Sequence, residues 1–282
     1  MRFPWQDKWL KTLEKSLTQT VRSPHGDALP GFPAEEWQIH TVGLSGLRAI
    51  READRFMESC TEYFQSSENW QSPEKTLLDF GVGWGRIARC FMRDFKGRNI
   101  VGCDVSPQYL ELSRSNFSTG RFFQSEPLPP LRYAVAAEGE GQYPDASTDF
   151  IVAYSVFSHL SEQACCAWIE EFARILKPGG MAAVTTRGRW FFDTAKAFGA
   201  PGATGYAKGL GEMFEDFDAA RASYDAGAVV HATNSLIGDG LHYGETFIPE
   251  AFARREFGRH LEVVGFHQEK RAHPIIVLKK PA

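Results

Sequence analysis

Apolar residues recur at helical spacing at Leu47, Ile50, Ala53, Phe56, Met57, Cys60 and Phe64, which predicts a helix from about Leu47 to Phe64 with one packed face. A short amphipathic stretch precedes it and breaks at SPHGDALPGFP, residues 23–33. Residues 1–70 read as a helical N-terminal extension, suited to closing over a site as a lid or to pairing two chains. From Lys75 to about Thr186 the pattern changes: short β-rich runs alternate with amphipathic helices, the order of a parallel sheet flanked by helices. Strands are predicted at TLLDF (76–80), NIVGCD (99–104), RFFQS (121–125), TDFIVAYS and MAAVTTR (181–187). Between them, RIARCFMRDF (86–95) and SPQYLELSRSNF (106–117) read as helices, the second with Ser106 as N-cap and Pro107 in first position. SEQACCAWIEEFARILKPGG (161–180) carries a Cys165, Trp168, Ile169, Phe172, Ile175, Leu176 stripe and a Lys-Pro-Gly-Gly stop. A Pro- and Gly-rich connection fills Glu126 to Asp149.

Residues 190–250, rich in Gly, Ala and aromatics with a helical piece near 206–224, read as an insertion that holds substrate. The chain ends in LEVVGFHQEK and HPIIVLKK, short β-rich runs suited to antiparallel pairing at a sheet edge. The organisation is thus an extension over 1–70 and a main domain over 71–282 with its insertion at about 190–250.

Composition narrows the function classes. With 282 residues, 43% apolar and 23% charged, the chain can bury a core and does not resemble a disordered protein. Its formal charge of −4 and lack of a basic block argue against a grip on nucleic acid or an anionic membrane. The longest nearly apolar run, FIVAYSVF at 150–157, is far shorter than the roughly 18 residues of a membrane span. MRFPWQDKWLKTLEK mixes aromatics with charges and shows no secretory signal, so the expected location is cytoplasmic. Five cysteines without C-x-x-C spacing fit packed thiols, and no His or acid cluster has metal spacing, so no metal is expected.

The most informative segment is LLDFGVGWGRIARC, with three glycines at alternate positions between a strand and a helix start. Gly81, Gly83 and Gly85 allow a tight turn and let a ligand approach backbone. A dinucleotide fingerprint needs G-x-G-x-x-G, and Arg86 stands where its third glycine belongs. Asp79-Phe80-Gly81-Val82-Gly83-Trp84-Gly85 instead resembles motif I of the class I S-adenosylmethionine-dependent methyltransferases, and Asp104 closes the next strand twenty-five positions after Asp79. The stretch from YPDASTDFIVAYSVF to KPGG is similar to the family's later motifs, so the resemblance covers about residues 75–187.

The resemblance implies a Rossmann-like, doubly wound α/β fold of seven strands, mostly parallel with an antiparallel C-terminal edge strand. It implies S-adenosyl-L-methionine as cofactor and S-adenosyl-L-homocysteine as product. Phe80, Gly81, Gly83 and Gly85 should then line the methionyl and ribose part, Asp79 lie near the amino group, Asp104 take the ribose hydroxyls and Val105 pack on adenine. Ser125 or Glu126 should meet the adenine amino group, and Tyr154 and Ser155 border the reacting methyl.

Methyl transfer from a sulfonium is an in-line displacement in which alignment is the main requirement, and a base serves acceptors that carry a proton. His159 is the nearest titratable residue to the end of strand four and the candidate base, or else it orients the loop. His231, His242, Tyr243 and Glu245 are polar groups in the insertion that could surround an acceptor, and Trp190 with Phe191 and Phe192 could wall an apolar pocket or be core. Strand four ends in Ala153-Tyr154-Ser155-Val156, unlike the Asn-Pro-Pro-Tyr segments of enzymes that methylate nucleic-acid amino groups. A small-molecule substrate, methylated on oxygen or nitrogen, is the leading expectation, with a homodimer as a further partner expectation. A protein of the same fold with non-methylating chemistry, or a non-catalytic scaffold that binds the cofactor, are the alternatives.

Overall fold

The computed structural model describes residues 4–135, 139–238, 243–268 and 272–282. Two compact units emerge, the first made of residues 1–126 and 131–152, the second of 127–130 and 153–282.

The first unit begins with α1 (Pro4–Lys15), α2 (Glu35–Val42) and α3 (Gly46–Phe64). β1 (Leu77–Phe80), α4 (Arg86–Phe91), β2 (Ile100–Asp104), α5 (Pro107–Asn116) and β3 (Arg121–Gln124) follow. The hairpin strands β4 (Arg132–Val135) and β5 (Gly139–Gln142) then lead to β6 (Thr148–Ala153). β1 pairs in parallel with β2 and β6, and β2 in parallel with β3. Every residue of β1, β2 and β6 is buried, which explains their continuous apolar runs. Ser106 caps α5 by accepting the Tyr109 amide, with Pro107 at the first turn, as the spacing predicts.

The predicted α3 is observed over Gly46–Phe64, and its Phe64 ring packs on Phe91 and Phe150. Arginines on α4 and in the turn after it tie the N-terminal segments to this core. Arg86 donates to the Ala49 carbonyl and pairs with Glu52, while Arg93 pairs with Glu58 and Asp94. Arg89, fully buried, donates to the carbonyls of Pro30 and Gly31 and lies over the Phe32 ring, 3.8 Å from its centroid. Arg89→Ala leaves those carbonyls without their donor and should cost about 1–3 kcal/mol. Urea unfolding checks this, and an unchanged midpoint would contradict it.

The second unit carries α6 (Glu162–Ile175), β7 (Leu176–Thr185), α7 (Phe191–Ala197), α8 (Gly205–Gly211) and α9 (Phe217–Asp225). After these come β8 (Val230–Ala232), β9 (Glu245–Phe247), α10 (Glu250–Glu256), β10 (Glu262–His267) and β11 (Ile275–Lys279). β11 runs antiparallel to both β7 and β10. The main sheet has seven strands in the order β10-β11-β7-β6-β1-β2-β3. This is the expected Rossmann-like sheet, parallel through most of its width and antiparallel where the chain ends.

β7 starts five residues before its predicted position because the Lys-Pro-Gly-Gly segment is drawn into pairing with the chain's end: Gly179 donates to Lys280 O, and Lys280 to Gly180 O. The insertion has an aromatic core of its own, in which Phe192 stacks on Phe247 with centroids 4.0 Å apart.

Candidate functional site

In the first unit the chain leaves β1 through three glycines with positive φ, Gly81 at 75°, Gly83 at 54° and Gly85 at 85°. Asp104 organises this loop from the end of β2: its Oδ2 accepts the Gly83 amide at 2.9 Å and its Oδ1 the Ser106 amide at 2.9 Å. A carboxylate oxygen has more than one acceptor direction, so both oxygens keep capacity for vicinal hydroxyls. Ser113 on α5 holds the Gly83 carbonyl at 2.8 Å. Among the described residues beyond its chain neighbours, a Cβ built on Gly83 would meet nothing within 4 Å, whereas one on Gly85 would run into the Phe117 ring. The middle glycine therefore faces open space, and the third serves close packing.

Val105 follows Asp104 with 53% of its surface exposed, an unusual position for an apolar side chain between a buried strand and a helix. Ser125 is buried and its amide donates to Asp104 O at 3.0 Å, so the structure brings Ser125 to the end of β2. Phe80 is buried within β1, paired with Cys103 of β2. The residues present fit a nucleoside-bearing ligand: an open glycine, a carboxylate and an exposed apolar surface follow one another along two strand ends.

Asp79 is 1% exposed, and its Oδ2 accepts the Ala88 amide of α4 at 2.9 Å. Burial pushes its carboxyl up to about 7, against the pull of that amide and of Arg86. For an acid raised in this way, the folded chain keeps a proton that the unfolded chain loses near pH 4. Its contribution to stability therefore falls as pH rises from about 4 to about 7. Asp79→Asn should flatten the stability profile across that window, which urea midpoints at several pH values would show. An unchanged slope would contradict the assignment.

The second unit buries a different set of groups. Glu245, fully buried, pairs with the Arg187 guanidinium through Oε2 and accepts the Tyr206 hydroxyl at Oε1. His159 Nδ1 lies 2.8 Å from Gly244 O and 3.3 Å from Glu245 Oε1, while its Nε2 lies 3.5 Å from Ser155 Oγ. Tyr243, half exposed, stacks on the His159 ring at 4.7 Å with planes 4° apart. His273 Nε2 sits 3.4 Å from Arg187 Nη1, and Tyr154 meets the His273 ring edge-on. Burial would raise the Glu245 carboxyl, but the hydrogen bond from His159 and the charge and hydrogen bond of Arg187 outweigh it and hold it below the usual carboxylate range. Burial and the Arg187 charge push His273 down to about 3, so it is neutral.

Ser155 adopts φ 59°, rare for a residue with a side chain, and its amide is fixed by Thr185 Oγ1 at 2.6 Å. His231 Nδ1 contacts Thr246 Oγ1 at 2.7 Å, next to Glu245 in β9. Five sequence-predicted residues, Tyr154, Ser155, His159, Tyr243 and Glu245, thus gather with His231 nearby. Trp190 donates at 3.0 Å to the carbonyl of Ala272, the chain neighbour of His273, and packs on the insertion's aromatic core with Phe191 and Phe192. His242 lies outside the described residues. Sequence reasoning missed Arg187, Tyr206 and His273; only Arg187 had a signal, as a charge closing a predicted strand. Among the described residues no group of three or more His, Cys, Asp or Glu is placed to hold a metal ion, and no helix is long and apolar enough to cross a membrane.

Residues 77–180 match the family described as a methyltransferase domain. Among solved structures the chain is similar to CalS10, an S-adenosylmethionine-bound amino pentose methyltransferase from Micromonospora echinaspora. Identity is 13% and the TM-score 0.51, over 88% of this chain and 97% of that one. It is also similar to an S-adenosylmethionine-dependent methyltransferase from Clostridium acetobutylicum, at 12% identity and a TM-score of 0.51, over 88% and 98% of the two chains. At these identities the likeness is one of fold. The chain thus has the fold of these S-adenosylmethionine-dependent methyltransferases, and its residues 77–180 match a methyltransferase-domain family.

Proposed function

We propose that the protein transfers a methyl group from S-adenosylmethionine to an oxygen or nitrogen of a small-molecule metabolite. The observation that carries the cofactor assignment is the loop held by Asp104, in which Gly83 turns its bare Cα to open space. Gly81, Gly83 and Gly85 would leave backbone free beside the methionyl and ribose parts, Asp104 would accept the ribose hydroxyls, and Val105 would pack on adenine. Asp79 would lie near the methionyl ammonium, and Ser125 near the adenine edge. When bound, the sulfonium supplies an electrophilic methyl group. The chain's part is to orient the acceptor and exclude water.

Ser155, His159, His231 and Tyr243 of the second unit are the groups we assign to the acceptor, with His159 as the base. The formal charge of −4 and the Ala153-Tyr154-Ser155-Val156 strand end favour a small metabolite over nucleic acid. Incubation with S-adenosylmethionine and a metabolite panel, followed by mass spectrometry, tests the reaction. Methylated product and S-adenosylhomocysteine in equal amounts are expected. Cofactor consumption without methylated product would favour a lyase or cyclase, and binding without any turnover across the panel a scaffold.

A further inference from the structure

Among the described residues, His159 Nδ1 meets only acceptors, the Gly244 carbonyl at 2.8 Å and Glu245 Oε1 at 3.3 Å. A lone pair on Nδ1 would repel both, so Nδ1 carries the ring proton and the neutral imidazole keeps its lone pair on Nε2. Glu245 is itself fixed on both oxygens, by Arg187 and by Tyr206. We propose that Glu245 is the positioning residue for His159, setting its tautomer so that Nε2 takes the acceptor's proton during methyl transfer. This rests on the methyltransferase reading given above.

The step balances without a further reactant. The acceptor's O–H or N–H bond breaks and its proton goes to His159 Nε2; the freed electron pair forms the bond to the methyl carbon. The carbon–sulfur bond breaks, and sulfur keeps its electron pair as the thioether of S-adenosylhomocysteine. The imidazolium that forms faces the Glu245 carboxylate, which stabilises it.

The surroundings suit that role. Glu245 and Arg187 cancel one another, so the site starts near neutrality and gains a single charge. Among the described residues, the other titratable groups about the ring are Tyr243, stacked on it, Tyr206 on the shared Glu245 oxygen, and His273 beside Arg187. His273 is held neutral and does not compete for the carboxylate. The acceptor class follows: a group that still bears its proton, such as an alcohol, a phenol or an ammonium, and not a thioether or a tertiary amine.

Nitrogen-15 NMR of the full chain labelled at histidine tests the proposal without knowing the acceptor, with His159→Gln used to assign the signals. The His159 ring should be the Nδ1–H tautomer with Nε2 unprotonated. An Nε2–H tautomer, or a doubly protonated ring, would overturn the base assignment. Glu245→Gln should let the Nε2–H tautomer appear. A ring that stays wholly Nδ1–H there would show that Gly244 O suffices and would overturn the positioning role.

Should the amide fail to fold beside Arg187, Tyr206→Phe serves instead. It frees Glu245 Oε1 for His159, so the Nδ1 proton should move downfield, and an unmoved signal counts against the contact. Calorimetry with S-adenosylhomocysteine on the same samples separates the two levels of the account. Binding with the wrong tautomer removes this inference alone, whereas the right tautomer without binding removes the methyltransferase reading beneath it.

Discussion

Asp104→Ala should weaken binding of S-adenosylhomocysteine by about 1.5–3 kcal/mol, roughly ten- to a hundredfold, the usual contribution of hydrogen bonds to a charged group. The reason is twofold. The carboxylate would meet the ribose hydroxyls, and it already anchors the Gly83 and Ser106 amides at 2.9 Å each. Alanine removes ligand contact and loop support together, whereas Asp104→Asn keeps one acceptor oxygen and should fall between. Calorimetric titration measures both, and an alanine variant with parental affinity would refute the role of Asp104.

Gly83→Val should abolish measurable binding while the chain stays folded. Among the described residues, apart from its chain neighbours, nothing lies within 4 Å of the position its Cβ would take, so the new side chain displaces ligand and not core. The remaining cost is conformational, about 1–2 kcal/mol for an L-residue in the left-handed region, since φ is 54°. Gly85 is the control, since alanine there collides with the Phe117 ring and should damage the fold instead. Circular dichroism with a titration separates the two outcomes, and a folded Gly83→Val chain that still binds tightly would contradict the loop's assignment.

The parts legible in the sequence are those set by local pattern. β1, β2 and β6 are buried on both faces, so they appear as continuous apolar runs, and α3 and α6 carry stripes at helical period. The glycine spacing was readable because consecutive residues form that loop, and Asp104 because it closes the next strand. The β4–β5 hairpin was not, since its short strands lie in a segment that reads as Pro- and Gly-rich connection. Nor was the burial of Arg86, Arg89 and Arg93, whose partners other than Asp94 lie 32 to 73 positions away and leave no periodic trace. Arg187 meets Glu245 across 58 positions and His273 across 86, so the second unit's network needed the tertiary structure. His159 could be named from its place after strand four. Its orientation depended on Gly244 and Glu245, which no spacing rule joins to it.

The most direct test of the central claim is a calorimetric titration of the full chain with S-adenosylhomocysteine and, separately, with NADH. The account predicts one-to-one binding of the sulfur nucleotide, lost in Gly83→Val and weakened in Asp104→Ala, with no heat from NADH. Binding of NADH, or S-adenosylhomocysteine binding indifferent to both substitutions, would contradict it.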